Sequence, residues 1–351
     1  MSGDEFDEYI HAIEEQLGRK IESGKGNANC LRLSLDKVLM SHRCLIWYLI
    51  VFVVDAITSA RLSYYGFDFH RTHRRHWFSV LPPRPQNLLA KSTSPSGTIT
   101  YWHRPHTAKK KLPILFLHGI GIGLHPYVDF LSEINSGANR SEDEGVGIIA
   151  VEIMPISFRI TSPALRRDQM CAEIDRILKV HGWDRFVLVS HSYGSVITTH
   201  MLHSPKIASK IGPLLLIDPV TFLLHIPDVA YNFIIRKPSG ANEHQLSYFA
   251  SKDMGVAHTL SRCFFWNENI LWKEDLTNRK VTVVLSERDL IVDTRTVRAY
   301  LAGEGKWEGT LQASNNPDIL WFEGIDHAQV FDKWVDRKKL IDVLRRYCNK
   351  S

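Results

Sequence analysis

The chain has 351 residues, of which 44% are hydrophobic and 23% charged, a globular composition with room for one large α/β domain and an extension, or for two small domains. The formal net charge of +5 is spread along the chain, which argues against nucleic-acid binding. Five cysteines without CxxC spacing indicate free thiols in a reducing compartment and argue against a disulfide framework or a zinc site: Cys30, Cys44, Cys171, Cys263 and Cys348.

The first segment carries apolar residues at helical spacing, at Phe6, Ile10, Ile13 and Leu17, and predicts an amphipathic helix. The stretch 1–8 is acidic and has no apolar core, so no cleaved secretory signal is expected. We therefore expect an intracellular protein that is cytoplasmic or membrane-associated and is not secreted.

A second predicted helix covers 44–60. Its uninterrupted apolar run ends at Asp55, and Arg43 and Arg61 flank it. A membrane span needs about 20 apolar residues, so this shorter run predicts a helix packed on the body of the protein. The alternative is a helix in peripheral contact with a membrane surface, which the flanking arginines and the tryptophan and tyrosine within the run would favour.

A short basic cluster at 70–76 follows. Its three histidines, His70, His73 and His76, invite a metal hypothesis, but the arginines between them would repel a cation. We interpret the cluster as a solvated or phosphate-facing surface, and no metal ligand is predicted. Prolines at 82, 83 and 85 close this segment, which predicts a helical extension over 1–92 and a second domain over 93–351.

From about residue 93, apolar strand-like runs alternate with helix-like runs. This alternation predicts a mostly parallel central sheet with helices on both faces. The predicted strands are 98–103, 112–117, 146–151, 186–189, 214–217, 280–285 and 319–322, and the predicted helices are 126–134, 162–182, 195–202, 294–302 and 328–346.

The block at about 220–278 interrupts this rhythm. It is rich in aromatic residues and its pattern is helical. An insertion at this point would cover the strand ends, so it predicts a lid, whose aromatic side chains would either line an apolar pocket or pack the lid on the core.

The segment 186–196 is the part around which the chain is organised. The apolar strand 186–189 leads into Ser190-His-Ser-Tyr-Gly, and a helix follows at once. A strand that turns sharply into a helix with Ser192 at the apex is typical of a nucleophile elbow. The residues two positions away must be small so that strand and helix can pass closely; they are Ser190, where glycine is usual, and Gly194.

A serine nucleophile needs a base to take its proton and an acid to orient that base. Asp289 follows the strand 280–285, and His327 follows the strand 319–322 behind a glycine. The chain order Ser192, Asp289, His327 is the order expected after such an elbow, and each residue lies beyond the carboxyl end of a strand.

Other acids compete with Asp289 for the role of orienting the base. Asp218 directly follows the strand 214–217 and could instead act as a turn or cap residue, and Glu287 and Asp293 lie in the same loop as Asp289. Asp326 is adjacent to His327 in sequence, so its side chain cannot easily turn back to the neighbouring ring.

The oxyanion of a tetrahedral intermediate needs two N–H donors. One is predicted to be the backbone N–H of Tyr193, directly after the nucleophile. The other is predicted to be the N–H of Ile120 in the glycine-rich loop 118–123, which follows a buried strand. A nucleotide-phosphate loop is the alternative for 118–123, but the glycines lack the Gly-x-Gly-x-x-Gly spacing and a following acidic partner.

Three motifs in this order, His118-Gly-Ile-Gly, Ser190-His-Ser-Tyr-Gly and Gly324-Ile-Asp-His, resemble those of the α/β-hydrolase superfamily. The resemblance runs from about residue 93 to the end and is strongest to lidded serine esterases and lipase-like members of a fungal type with an N-terminal helical extension. It implies an α/β-hydrolase fold, hydrolysis of a carboxylic ester through an acyl-enzyme, and no cofactor. A serine at 192 argues against the branches that place an aspartate there.

The resemblance implies a hydrophobic ester or lipid as substrate and no nucleic-acid partner. Two alternatives stay open. An acyltransferase or thioesterase would use the same triad, and an inactive α/β-hydrolase could serve as a module that binds a lipid or a partner protein.

Overall fold

The computed structural model describes residues 3–24, 26–27, 30–136, 145–303 and 317–349. The chain divides into two compact units, Met1–Arg32 and Leu33–Ser351. The first unit contains the helix α1 (Gly3–Leu17), which was predicted from its apolar spacing, and the apolar side chains on that helix are about half exposed.

In the second unit, nine strands of the described residues form one mixed sheet in the order β2-β1-β3-β5-β4-β6-β7-β8-β9. The strands are β1 (Asp68–Arg71), β2 (Ser92–Thr93), β3 (Tyr101–Arg104), β4 (Ile114–Leu117), β5 (Ile148–Val151), β6 (Phe186–His191), β7 (Ile211–Ile217), β8 (Val281–Ser286) and β9 (Asp318–Phe322). All neighbouring pairs are parallel except β1 with β3 and β3 with β5. The predicted mostly parallel α/β sheet is confirmed.

Helices cover both faces of this sheet. They are α2 (Leu45–Tyr64), α3 (Gln86–Leu89), α4 (Val128–Glu133), α5 (Arg167–Val180), α6 (Gly194–Leu202), α7 (Pro205–Ala208), α8 (Asp228–Ala230), α9 (Ala241–Gln245), α10 (Met254–Arg262), α11 (Trp266–Asn269), α12 (Thr294–Ala302) and α13 (Trp334–Cys348). One core cluster joins the sheet to α5, α6 and α12, and the other joins it to α4 and α13. Because both faces are covered, β4, β6, β7 and β8 are buried along their whole length.

The segment before residue 93 differs from the helical extension predicted over 1–92. It supplies β1 and the first residue of β2, and the division between the compact units falls after Arg32 instead of near residue 92. β1 pairs with β3 antiparallel, so the predicted strand 98–103, expected at an edge, lies inside the sheet as β3. A strand of four residues within a basic stretch carries too short an alternation to be recognised from sequence.

The helix α2 continues past Asp55, where the apolar run ends, to Tyr64. By length and composition it is the one helix among the described residues that could cross a membrane, with a mean hydropathy of 1.8 in its most apolar window. One face packs on the sheet and its helices through Trp47, Tyr48, Val51 and Leu62. The opposite face is exposed.

A buried ion network fixes the middle of α2 to the sheet. Arg84 contacts Asp55 at 3.1 Å and Glu152, which follows β5, at 2.6 Å, and Arg159 contacts Asp55 at 2.8 Å. These four side chains belong to residues only 4–8% exposed. Burial alone would raise the pKa of Asp55, but the two guanidinium groups hold it well below its usual range. The network is therefore a neutral set of two acids and two bases.

Candidate active site

Ser192 lies at a sharp turn between β6 and α6. Its backbone φ is 50°, in the left-handed region, and its N–H donates to the carbonyl oxygen of Ile217 at 3.0 Å. A Cβ on Gly194 would lie 2.4 Å from the carbonyl oxygen of Leu117, so a glycine is required where the helix passes the neighbouring strand. Ser190, the other small neighbour, is fully buried. This turn holds the Ser192 hydroxyl at the carboxyl edge of the sheet.

The structure brings the three side chains predicted as a triad together. Ser192 Oγ lies 2.9 Å from His327 Nε2, and His327 Nδ1 lies 2.6 Å from Asp289 Oδ2. The second oxygen of Asp289 accepts the N–H groups of Ile291 and Val292 at 2.7 and 3.0 Å. The Asp289 side chain is fully buried, so these bonds fix its orientation behind the imidazole.

The charge around His327 favours its protonated form. Burial alone would lower the pKa of this imidazole, but the carboxylate of Asp289, helped by those of Asp218 and Asp326, raises it to about 9. In its neutral form, a histidine with this proton affinity can take a proton from a hydroxyl hydrogen-bonded to it.

Asp218, the first alternative for the acid, lies beside this pair but does not orient the ring. Its carboxylate accepts the N–H of Ala328 at 2.9 Å and both the N–H and the hydroxyl of Ser286, at 3.0 and 2.9 Å. Burial raises the pKa of Asp218, and the nearby Asp289 adds to this. Asp218 therefore ties the loop that carries His327 to the end of β8.

The remaining acids have other partners. Glu287 accepts the N–H of Gly324 at 2.9 Å, and Asp293 caps α12. Asp326 accepts the N–H of Leu290 at 3.0 Å, so it links the two loops of the site through the backbone.

The glycine-rich loop 118–123 passes directly beside the nucleophile. A Cβ on Gly119 would lie 2.8 Å from the Cβ of Ser192 and 2.7 Å from Nδ1 of His191. Contacts this short exclude any side chain at residue 119, so the loop backbone can approach the serine only because this residue is glycine.

The backbone N–H groups predicted as oxyanion donors, those of Ile120 and Tyr193, differ from their neighbours Gly119 and Gly121 in having no acceptor among the described residues. Gly119 donates its N–H to the hydroxyl of Tyr127 at 3.2 Å, and Gly121 donates its N–H to a backbone carbonyl at 3.1 Å. Within the described ranges, no acceptor is found for the N–H of Ile120 or of Tyr193. Both N–H groups are therefore free to bind an oxyanion, which an oxyanion hole requires of its donors.

Sequence reasoning did not find the pair formed by Tyr127 and His191. The Tyr127 hydroxyl lies 2.8 Å from His191 Nδ1, and it also accepts the N–H of Gly119. Burial lowers the pKa of His191, so the ring is neutral and accepts the tyrosine proton. This pair fixes the glycine-rich loop against the elbow. No spacing in the sequence links the two residues, which are brought together by the tertiary fold.

The insertion between β7 and β8 lies over the loops of the triad. Arg236 donates to the carbonyl oxygen of Leu290 at 2.7 Å, and Asn232 donates to that of Ile291 at 3.1 Å. The ring of Phe264 lies 6.4 Å from that of Tyr193. The insertion is helical, and its aromatic side chains are buried at Phe222 and Phe233 but about half exposed at Tyr231, Tyr248, Phe249, Phe265 and Trp266.

Comparison with known proteins gives matches to solved structures only. No family model and no curated protein matches the chain. A membrane phospholipase A, described as a bacterial virulence factor, is 11% identical over 86% of this chain and 94% of that chain, with a TM-score of 0.51. A putative lipase from Acinetobacter baumannii is 12% identical over 83% and 97%, with a TM-score of 0.49. A carboxylesterase from Bacillus subtilis is 12% identical over 84% and 97%, with a TM-score of 0.48.

At 11% identity, the likeness to the phospholipase describes the fold alone. The chain has the α/β-hydrolase fold, and the fold class expected from the elbow and its partner motifs is confirmed.

Proposed function

We propose that the protein is a serine hydrolase that cleaves carboxylic esters of hydrophobic substrates through an acyl-enzyme. The observation that carries this proposal is the unbroken chain of contacts from Ser192 Oγ to His327 Nε2, at 2.9 Å, and from His327 Nδ1 to Asp289 Oδ2, at 2.6 Å. The likeness to a phospholipase A supports an ester of a lipid as the substrate class.

The reaction follows from this geometry. Ser192 Oγ attacks the ester carbonyl carbon while His327 Nε2 takes the hydroxyl proton, and Asp289 stabilises the imidazolium that forms. The free N–H groups of Ile120 and Tyr193 bind the oxyanion. When the intermediate collapses, His327 gives its proton to the leaving alcohol. A water molecule, deprotonated by His327, then attacks the acyl carbon, and the acid leaves as Ser192 regains its proton.

The alternative is an inactive module that only binds a lipid or a partner protein. The hydrogen-bonded triad and the two free N–H donors argue against it. A fluorophosphonate probe separates the two proposals, because it reacts only with an activated serine. We expect the wild-type protein to be labelled and Ser192→Ala not to be. Ser190→Ala is a matched control, because the buried Ser190 hydroxyl has no hydrogen-bond partner among the described residues. No labelling of the folded wild-type protein would favour the binding module.

The substrate class is tested with p-nitrophenyl esters of increasing acyl length. We expect kcat/KM to rise with chain length, because Ile120 and Ile122 of the glycine-rich loop and Phe264, whose ring lies 6.4 Å from that of Tyr193, are apolar and only partly buried. A preference for acetate would contradict a hydrophobic substrate. Product analysis with an added alcohol, and a matched thioester, would distinguish the acyltransferase and the thioesterase that share this triad.

We also propose that the exposed face of α2 contacts a lipid surface in the plane of the membrane. This face presents Leu45, Ile46, Leu49 and Ile50, each more than half exposed. A helix with one apolar exposed face and arginine and aromatic residues beside it is typical of interfacial binding. Asp55 holds the opposite face in the buried network, so α2 stays attached to the sheet and does not span.

The lid contributes to the same surface. The ring of Trp47 lies 5.6 Å from that of Phe249 and 6.1 Å from that of Tyr248, and the guanidinium of Arg43 lies over the Tyr248 ring at 4.2 Å. Tyr248 and Phe249 are about half exposed. The insertion that covers the triad loops therefore packs on the buried side of α2 through Trp47 and presents Tyr248 and Phe249 beside the helix. Together with the exposed face of α2, these rings would bring a membrane-held ester close to Ser192.

Sedimentation with anionic phospholipid vesicles tests this proposal. We expect the wild-type protein to pellet and the triple variant Ile46→Asp, Leu49→Asp, Ile50→Asp to stay in solution. Val335→Asp, which changes an equally exposed apolar residue on α13, is the matched control and should pellet. Equal sedimentation of all three proteins would rule out this surface.

A further inference from the structure

Three histidines outside the active site converge on one face of the sheet. His70 lies in β1 opposite Tyr101 of β3, and Asp68 lies opposite His103. Alternate residues of a strand share a face, so His70 and His103 point to the same side. His181, directly after the end of α5, lies against this side. One nitrogen from each of the three rings lies within 4.8 Å of the other two.

The three rings lie close together and are partly buried. Ring centroids are 3.9 Å apart for His103 and His181, 5.4 Å for His70 and His181, and 5.6 Å for His70 and His103. Imidazole nitrogens gathered in this way from separate parts of a chain are the ligands that zinc uses most often beside thiolates.

Packing of aromatic rings explains only part of this arrangement. The His70 ring stacks on Tyr101 at 4.4 Å, and the Tyr101 hydroxyl lies 2.9 Å from His181 Nε2. His70 Nδ1, however, is buried, and the described residues give it no hydrogen-bond partner. A buried polar atom without a partner costs free energy of folding. A ligand bound to His70 Nδ1 would remove this cost, which ring stacking does not.

Arg71, one of the arginines that argued against a metal in the sequence, does not line this site. Arg71 alternates with His70 along β1 and so points to the other side of the strand, and its guanidinium lies 5.3 Å from the Trp77 ring. The acid Asp68 lies on the same side as His70, and its charge favours a cation there. The sequence grouped His70 with His73 and His76, but the fold groups it with His103 and His181.

We propose that His70, His103 and His181 bind a divalent transition metal, for which zinc fits the ligand set best. Zinc takes imidazole nitrogens at about 2.0–2.1 Å in a tetrahedron, with water in any position that the protein leaves open. The three nitrogens, which lie within 4.8 Å of one another, must move closer together to coordinate one ion. Water or the adjacent Tyr101 hydroxyl completes the coordination.

Such a metal would join three separate parts of the chain: β1, which precedes residue 93, the internal strand β3, and the end of α5. β1 and β3 lie on one side of β5 in the sheet, whereas the triad follows β6, β8 and β9 on its other side. The role expected for this site is therefore structural. Metal binding should raise thermal stability and leave the labelling of Ser192 unchanged, because it acts on the native state far along the sheet from the triad.

The test uses the full chain, purified without a metal-affinity tag and freed of metal by chelation. We expect one equivalent of Zn²⁺ by isothermal titration and mass spectrometry, a visible absorption spectrum of tetrahedral Co²⁺ when cobalt replaces zinc, and a higher melting temperature with zinc. His103→Asn and His181→Asn should each weaken zinc binding at least about tenfold, in keeping with the loss of a ligand. His73→Asn, an exposed histidine of the same segment, is the matched control and should bind as the wild type does.

Three results would overturn the proposal: no zinc binding by the wild-type chain, binding that His103→Asn and His181→Asn leave unchanged, or equal loss in His73→Asn. Circular dichroism establishes whether each variant folds. If the asparagine variants do not fold, the cobalt spectrum of the wild-type chain decides, because a spectrum of octahedral, water-bound cobalt contradicts a three-histidine site.

Discussion

The ion network beneath α2 and the cluster around His327 both bury two carboxylates, but they balance that charge differently. In the network, Asp55 and Glu152 face two guanidinium groups, and the pKa of Asp55 is held well below its usual range. Around His327, Asp289 and Asp218 share one imidazole. Burial and the neighbouring Asp289 raise the pKa of Asp218, against the lowering effect of His327, and the two acids raise the pKa of His327.

The difference shows that arginine–carboxylate pairs serve the stability of this fold, whereas a histidine–carboxylate cluster can transfer a proton. Arginine does not release its proton in proteins, so a fully paired set of acids and arginines holds elements together and transfers nothing. Histidine can gain and lose a proton, and the carboxylates around it raise its pKa, which makes the neutral ring a stronger base.

The largest expected effect would come from the acid behind the base. Asp289→Asn should lower kcat by about 10⁴-fold, because the amide cannot hold the imidazole in the tautomer that takes the serine proton. Stability should fall by no more than the loss of about one hydrogen bond, about 1–3 kcal/mol, since the amide keeps the size of the side chain. Ester hydrolysis and thermal unfolding are measured together. Asp293→Asn, in the same loop, should keep full activity, and an equal loss there would show a general loop defect instead.

Substitutions in the ion network beneath α2 should lower stability and leave activity unchanged. Asp55→Ala leaves Arg84 and Arg159 with an uncompensated buried charge, so the free energy of unfolding should fall by about 3–5 kcal/mol, as measured by urea denaturation. Asp129→Ala removes a half-exposed ion pair with Arg61, which lies on α2 as Asp55 does. The free energy of unfolding should then fall by less than about 1 kcal/mol. Similar costs for both variants would mean that the network is solvated and does not anchor α2.

The pH profile tests the raised pKa of His327. Only the neutral ring can take the serine proton, and with a pKa of about 9 the neutral fraction grows as pH rises. We expect kcat/KM to increase about tenfold per pH unit between about pH 6 and 8 and to level off above about pH 9. A rate that is already constant at neutral pH would show that the shared carboxylates do not raise this pKa.

Asp218→Asn should have the smallest effect and would sharpen the distinction between the two acids. Asparagine replaces one carboxylate oxygen with an NH₂ group, so one of the bonds to Ser286 or Ala328 is lost, at about 1–3 kcal/mol of stability. Loss of the negative charge should lower the pKa of His327, so the rising limb of kcat/KM moves to lower pH. An unchanged midpoint would mean that Asp218 serves only the backbone.

Local sequence patterns predicted the strands that matter for the site. The apolar runs 112–117, 186–189 and 280–285 became β4, β6 and β8, because a strand covered on both faces reads as a continuous apolar run. The loops after β6, β8 and β9 carry Ser192, Asp289 and His327 in the order expected of the fold, so their meeting at one sheet edge followed from the topology of parallel strands.

The choice between neighbouring acids could not be made from the sequence alone. Asp218 and Asp289 both follow strands at the same edge, and only the geometry shows that Asp289 bonds the imidazole while Asp218 bonds the backbone of Ala328. Side-chain direction at a loop depends on φ and ψ of a few residues, which sequence spacing does not determine.

The sequence by itself determined the elbow, its small neighbours and the α/β alternation, because each depends on contacts between residues close along the chain. Only the tertiary structure decided that Asp55 is a buried anchor within α2, that β1 joins the sheet, and that His70 meets His103 and His181. These contacts join residues far apart in sequence, and their partners are chosen by burial and charge balance across the whole fold, for which no short pattern exists.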